Sequence, residues 1–417
     1  MKRVLLLIPT TSYRTQSFLT AARELGVDVT VGSERPNVMA DRNPEGLLTL
    51  KYQEPKEAAR KVIEFSHNYP LDAIVGVDDQ GAVLAATIAE ALSLPHNSVA
   101  SVAAAQNKHM MRRLLNIARV PQPSYRLISL DEDPSEISNE VPYPCVVKPL
   151  TLAGSRGVIR ADSDVEFRAA LDRLKGILRM PDVASMRGDS SSRHVLVESF
   201  VPGKEVALEG LISHGKLKVL AIFDKPDPLD GPYFEETIYV TPSRLSHTLQ
   251  EEIIFCAARA AEALGLERGP VHAELRINQT GPCVIEIAAR SIGGFCSIAL
   301  RFGNTKFYTK TVSLEELLLR DALEMDTTSF RREPQAAGVM MIPIPDAGVF
   351  YQVKGVQEAK VVEHIEDVII SAHLNETLVP LPEGGKYLGF IFSRAGSPEH
   401  VETALREAYA RLEFVIH

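Results

Sequence analysis

Cysteine is scarce in this chain. Four occur in 417 residues, at positions 145, 256, 283 and 296. No two stand at zinc-ligand spacing, and a disulfide framework is not expected at this length. They read as small buried apolar residues. Long apolar runs are missing too. The N-terminal run, residues 4–8, stops at Pro9. It is too short for the core of a signal peptide and far too short to span a membrane. The expectation is a soluble, cytoplasmic protein. There is no internal repeat and no low-complexity tract; the nearest approach is the polar, Ser-rich stretch 182–193, read as a mobile surface loop. No Gly-x-Gly-x-x-Gly follows the first apolar run, where the turn reads PTTSYR, so a dinucleotide site is poorly supported. An excess of positive charge is also lacking. The net charge of −9 argues against a nucleic-acid or anionic-membrane partner. Arg112 and Arg113 read as a solvated helix face near phosphates.

What is present is ordinary globular composition, 45% hydrophobic and 24% charged, in a chain long enough for two to four domains. Up to about residue 105, strand and helix patterns alternate: strands at 4–8, 27–31 and 73–77, helices at 15–25, 58–67 and 81–92. That order implies a doubly wound parallel sheet with helices on both faces. Asp78 and Asp79 follow the third strand, where open α/β sheets bind ligands; a helix N-cap explains them equally. Past about residue 332, strands at 336–344, 361–365 and 388–393 and a helix at 398–412 form a small α+β end domain. Its Gly384-Gly385-Lys386 reads as a turn.

The most informative stretch is residues 270–294, PVHAELRINQTGPCVIEIAARSIGG. Two alternating runs, 272–277 and 283–288, flank turn chemistry, which makes a β-hairpin. With Ile277 facing Cys283, Leu275 faces Ile285 and Ala273 faces Ile287 on one apolar side. The other side carries His272, Glu274 and Arg276 against Val284, Glu286 and Ala288. Glu274 and Glu286 then lie directly opposite, about 5 Å apart at Cβ. Like charges so placed destabilise a sheet unless a cation lies between them, and Mg²⁺ is typically held by one or two carboxylates plus substrate phosphates. A solvated strand face partly neutralised by Arg276 is the plainer alternative.

Three other stretches carry candidate chemistry. Residues 107–118 form a basic helix opening with Lys108. Residues 144–162, PCVVKPLTLAGSRGVIRAD, place Lys148 at a strand end before a small-residue loop containing Gly154, Ser155 and Gly157. Bare amides beside a lysine suit a phosphate cradle; a flexible hairpin tip is the alternative. Residues 194–215 run through Glu198, Ser199, Phe200 and Val201 to a strand with Glu205, Ala207 and Glu209 on one face. Residues 224–242 are long, charged and Pro-rich, as a substrate loop is, although loops need no such role.

Taken in order, the Lys108 helix, Val146-Val147-Lys148-Pro149, the Gly-Ser loop, Glu198-x-x-Val-x-Gly-x-Glu205, His272-x-Glu274 and Glu286-Ile-Ala-Ala-Arg290 with Gly293-Gly294 resemble the ATP-grasp superfamily. Within it they resemble the carboxylate–amine ligases related to L-amino acid ligases, with a biotin carboxylase-like domain arrangement. The resemblance implies an α/β N-terminal domain at 1–105 and an ATP-grasp domain at 106–330, its small lid at about 125–200 and its large part at 201–330. An α+β domain at 331–417 follows. It implies Lys108 and Lys148 on ATP phosphates under the loop of Gly154, Ser155 and Gly157. It implies Glu198, Ser199 and Val201 in the adenine hinge, Glu205 on ribose, and Glu274 and Glu286 on Mg²⁺, with Mn²⁺ as an alternative. Arg290 would bind the substrate carboxylate and steady the reacting species, with Lys148 as its catalytic partner. Glu236, His272, Gly293 and Gly294 would face the substrates.

Two positions depart from the wider pattern. Ala288 stands where many ATP-grasp enzymes have a metal-binding Asn, so coordination falls to the glutamates, phosphates and water. Tyr239 stands where some amino acid ligases have His, which bears on the amine substrate. The implied reaction is ATP-dependent amide formation between a small carboxylate and an amine through an acyl phosphate. The alternatives are a bicarbonate- or formate-using ATP-grasp enzyme, and a nucleotide-binding protein without catalysis. The resemblance leaves the oligomeric state open, a homodimer being a common arrangement.

Overall fold

The computed structural model describes residues 1–36, 42–185, 193–305 and 311–417. Most of the Ser-rich stretch expected as a mobile loop, residues 186–192, lies outside the described residues.

The strand Arg3–Leu7 is central to a four-stranded parallel sheet in the order Leu47–Thr49, Asp28–Ser33, Arg3–Leu7, Ala73–Gly76. Its unbroken apolar run follows from cover on both faces. Val4 and Leu6 pack with Phe18, Ala21 and Ala22 of the helix Thr15–Leu25. Leu5 and Leu7 pack with Val62, Leu84 and Ile88 on the other side. Gly26 ends the first helix at φ +65°, a left-handed conformation that glycine adopts freely, and its N–H reaches the Ala22 and Arg23 carbonyls.

The stretch expected as the lid forms a four-stranded antiparallel sheet, ordered Tyr125–Ser129, His194–Ser199, Cys145–Pro149, Ile159–Ala161. The helix Asp164–Leu178 covers it with Phe167, Ala170, Leu171, Leu174 and Ile177. These positions recur at three- and four-residue intervals, so one stripe faces the sheet.

The remainder is built around an eight-stranded antiparallel sheet, with two smaller three-stranded sheets, at residues 301–332 and 348–416, beside it. The order of the large sheet is Gly281–Ala288, Gly269–Asn278, Lys204–Ser213, Lys216–Asp224, Ile238–Thr241, Ala336–Ile342, Gly389–Ala395, Ile365–Ile370. The last three strands lie beyond residue 331. The end region therefore continues the sheet of the preceding domain through the pairing of Ile238–Thr241 with Ala336–Ile342. The helix His247–Ala263 packs on one face, and Pro398–Tyr409 covers the C-terminal strands.

Two local expectations need correction. Residues 361–365 are not a strand: a short helix, Val356–Lys360, precedes them and the strand runs Ile365–Ile370. In the hairpin, Glu274 pairs with Glu286 and Ala273 with Ile287 as expected, but the register then shifts by one. Leu275 faces Val284, Arg276 faces Cys283 and Ile277 faces Pro282. The bulge leaves Ile285 out of the ladder and turns Val284 into the core, where it is fully buried. A tighter turn, with Asn278 facing Gly281, accommodates the slip.

Candidate active site

Three neighbouring strands of the large sheet aim their polar face at one place. Glu205 and Glu209 lie on Lys204–Ser213, opposite Arg276 and His272 respectively, while Ala207 stands opposite Glu274. Lys225 follows the neighbouring strand Lys216–Asp224 and reaches into this polar face. The Lys225 ammonium donates to Glu205 at 2.7 Å, Glu236 at 2.6 Å and Glu274 at 2.9 Å. It also lies over the Tyr239 ring, 4.9 Å from its centre, and the Tyr239 hydroxyl donates to Glu236 at 2.6 Å.

The charges in this cluster shape one another. Burial opposes the Lys225 charge, but the carboxylates outweigh it and hold the lysine well above its ordinary pKa. Burial, reinforced by repulsion from Glu274, pushes Glu236 up to about 7 despite Lys225. Glu274 goes the other way: burial disfavours its charge, yet Lys225 and His272 hold it well below the carboxylate range. His272 lies 3.3 Å from Glu209 and 3.7 Å from Glu274. Burial opposes its charge and these two acids favour it, raising it to about 9.

Glu205, Glu236 and Glu274 each bring an oxygen within 4.8 Å of the others. The Lys225 ammonium, bonded to all three, takes the place among them that a cation would take. Glu286 is outside this trio; its partner is Lys108, at 3.2 Å. The backbone explains the place of Lys108. Asn107 caps the helix Lys108–Ile117 by accepting from the His109 and Met110 amides, and the lysine donates to the Leu152 carbonyl at 2.8 Å.

Arg112 corrects the expectation of a solvated face. It is fully buried and grips Glu198 through Nε at 2.7 Å and Nη2 at 3.1 Å. It also donates to the Val284 and Ile285 carbonyls at the hairpin bulge. Lys148 meets the same Glu198 at 2.6 Å. Glu198 stays ionised because Arg112 and Lys148 overcome its burial. Burial, with Arg112 and Lys108 nearby, holds Lys148 below the ordinary lysine value despite Glu198. In the expected hinge, the Ser199 and Phe200 amides bond the Ser124 and Pro144 carbonyls, and the Val201 carbonyl accepts from Arg276 at 2.8 Å.

The small-residue loop takes three left-handed residues, with φ of +63° at Gly154, +55° at Ser155 and +73° at Gly157. It is docked on the end region. The Gly157 amide donates to Pro382 at 2.9 Å, and Arg156 donates to the Glu383 carbonyl at 2.6 Å. Arg173 holds the Glu383 carboxylate through Nε at 2.5 Å and Nη2 at 2.8 Å. Lys386, beside the Gly-Gly turn, pairs with Glu376.

Arg290 reaches back to the first sheet. Its Nε donates to Asp79 at 2.8 Å and its Nη1 to the Ser291 carbonyl at 3.0 Å. Burial opposes its charge, but Asp79, Glu286 and Glu274 favour it and keep it firmly cationic. Asp78 is the N-cap of the helix Asp79–Ala91. The segment after Arg290 is fixed from three sides. Glu209 accepts the Ile292 amide at 3.0 Å, Arg14 donates to the Ser291 hydroxyl at 2.8 Å, and the Tyr13 hydroxyl accepts the Gly294 amide at 2.5 Å. Gly294 has φ +59°, a conformation that glycine adopts most freely, and a Cβ there would meet the Met341 sulfur at 2.4 Å and have to displace that side chain. Gly293 is far less crowded.

Sequence reasoning missed Lys225, Arg112 as a buried anchor, and the Tyr13-Arg14 turn. For the turn, a signal was present: a polar, aromatic loop at the carboxyl end of a central parallel strand, where such sheets build sites.

The chain matches the ATP-grasp N-terminal domain over residues 19–96, the ATP-grasp domain over 141–299 and the L-amino acid ligase C-terminal domain 2 over 340–417. It is similar to alanine–anticapsin ligase of Bacillus subtilis (strain 168), 27% identical over 57% of this chain and 52% of that protein. It is also similar to carnosine synthase 1 of Gallus gallus, 27% identical over 66% of this chain and 31% of that one. The matching stretch thus spans about half the length of the first relative and less of the second. The L-amino acid ligase of Bacillus licheniformis superposes with a TM-score of 0.83 at 25% identity, covering 100% of this chain and 99% of that one. With its two ATP-grasp domain matches and this C-terminal domain, the chain belongs to the ATP-grasp superfamily, on the branch that carries the L-amino acid ligase C-terminal domain.

Proposed function

We propose that the protein is an ATP-dependent carboxylate–amine ligase that joins a small acid of amino-acid type to an amine and releases ADP and phosphate. The observation that carries this reading is the convergence on one sheet face of Lys108 with Glu286, Lys225 with Glu274 and Glu236, and Arg290 with Asp79. The similarity to ligases of L-amino acids supports it.

In the first step a carboxylate oxygen attacks the γ-phosphorus of ATP. The bond to the β,γ-bridging oxygen breaks and ADP leaves with that electron pair. In the second step the amine nitrogen attacks the acyl carbon, phosphate departs, and the nitrogen loses a proton. Phosphoryl transfer depends on positioning and charge neutralisation. Lys108 and Lys148 supply cations to the phosphates, and Arg290 holds the acid while Asp79 fixes its plane. Glu274 and Glu286 would hold Mg²⁺, which would neutralise phosphate charge. Glu236, bonded to Lys225 and Tyr239, stands ready for the substrate ammonium. The loop of Gly154, Ser155 and Gly157 covers the phosphates and excludes water from the acyl phosphate. Glu205 would meet the ribose and Val201 the base. A cytoplasmic setting suits such small-molecule partners; among the described residues no helix is long and apolar enough to cross a membrane.

The test is Mg²⁺-dependent ADP release from ATP against amino acids singly and in pairs, with bicarbonate as a separate arm and mass spectrometry of the products. ADP release driven by a pair, with an amide product, supports the reading. Release driven by bicarbonate alone replaces it with the carboxylase-like alternative.

A further inference from the structure

An aromatic strip lies between Arg290 and the Lys225 cluster, and the chemistry proposed above does not use it. The Tyr13 and Phe295 rings are 4.3 Å apart at their centres. Phe295 meets Phe390 edge-on at 4.8 Å, and Phe390 meets Tyr387 at 6.0 Å. The four rings come from the turn after the first strand, the segment following Arg290, and the end region.

If the strip were only interdomain core, its rings would be covered. Phe390 is, at 4% exposure, but Tyr13 is 45% exposed, and Phe295 and Tyr387 are partly open. The Tyr13 ring stays in the open while its hydroxyl is tied to the Gly294 amide. Phe295 holds φ +53°, a conformation that non-glycine residues keep where the surroundings impose it. Beside them, a Cβ added to Gly293 would find one neighbour within 4 Å, the Tyr13 hydroxyl at 3.5 Å. The strip therefore borders free space.

We propose that Tyr13, Phe295 and Tyr387 form a subsite for the aromatic or large flat apolar side chain of a substrate whose carboxylate lies at Arg290. This rests on the ligase reading and names its substrate class. Ring edges and faces favour a flat π-system over an aliphatic group of similar area, so the order of preference is phenylalanine or tyrosine, then leucine, then alanine.

The test uses the full chain with Mg²⁺ and a non-hydrolysable ATP analogue. Calorimetric affinities for L-phenylalanine, L-leucine and L-alanine are compared in the wild type, Tyr13→Ala, Tyr13→Phe and Phe295→Leu. The expected result is phenylalanine binding about tenfold tighter than alanine. Tyr13→Ala loses that margin and Tyr13→Phe, which keeps the ring, retains it. In ADP release Tyr13→Ala raises KM for the aromatic acid far more than KM for alanine, and Tyr13→Phe does not. Equal affinities, or a preference unmoved by both Tyr13→Ala and Phe295→Leu, overturn the subsite even if small acids drive turnover. Selective aromatic binding without ADP release from any amino acid pair upholds the subsite while the ligase reading fails.

Discussion

The Nε of Arg290 donates to Oδ2 of Asp79 at 2.8 Å across 211 residues of sequence. One residue begins a helix of the parallel sheet and the other follows the hairpin that carries Glu274 and Glu286. The bond sets the plane of the guanidinium against which a substrate carboxylate would lie. Asp79→Asn keeps the shape but removes the charge. The expected result is a roughly tenfold fall in kcat/KM for the acid, with ATP affinity close to wild type. Steady-state kinetics with each substrate varied separately checks this; an equal loss for ATP would show a wider collapse of the site.

Lys225 is the single ammonium shared by Glu205, Glu236 and Glu274. Lys225→Met retains the length and removes the charge, leaving carboxylates to repel at close range. Breaking a buried ion pair in this way costs about 3–5 kcal/mol. The variant should melt several degrees lower, and added Mg²⁺ should raise its melting temperature more than that of the wild type. Scanning calorimetry with and without the metal reads both effects. Equal melting temperatures without metal would show that the cluster contributes nothing to stability.

Asp78 gives a pH dependence. Burial, then repulsion from Asp79, pushes its carboxyl up to about 6, against the Gly81 and Gln80 amides that favour the ionised form. The folded state therefore binds the proton more readily than the unfolded chain, so this contribution to stability is present at low pH and lost as pH rises from about 4 through 6. Asp78→Asn keeps a good N-cap and removes the titration. Denaturant titrations between pH 4 and 7 should show a shallower decline for the variant; parallel curves would refute the assignment.

Glu383 links the lid to the end region through Arg173 and, by its carbonyl, Arg156. The pair with Arg173 is partly exposed, so Glu383→Ala should alter stability by less than about 1 kcal/mol. Its effect should fall on loop closure instead. KM for ATP should rise several-fold, and proteolysis near residues 150–160 should quicken in the absence of nucleotide. Unchanged cleavage rates would show that the loop does not depend on this contact.

The parts of the site legible in the sequence were those with a local pattern. Alternation alone put Glu274 opposite Glu286, since a two-residue period leaves few choices of face. A strand ending in Lys148 followed by glycines marked the loop. Lys225 was not legible, because it lies in a Pro-rich segment without periodicity and its partners are 20, 11 and 49 residues away. Arg112 was misread because basic helices are usually solvated; its burial depends on Glu198 and two carbonyls exposed by the bulge, which only the assembled sheet brings together. The bulge at Ile285 escaped for the same reason: a one-residue slip changes no residue type, only which side chains turn inward.

The eight-stranded sheet makes the C-terminal region inseparable from the one that carries the candidate site. A chain cut at residue 330 would leave Ile238–Thr241 as a raw edge, its backbone donors and acceptors unmatched along the flank that Ala336–Ile342 now occupies. Such a fragment would meet its own copies edge to edge, so it should be prone to aggregation. Grafting a foreign end region onto this protein would likewise have to match strand register and not merely a linker. Selectivity can therefore be exchanged between relatives at the loops above the sheet far more readily than by trading whole domains.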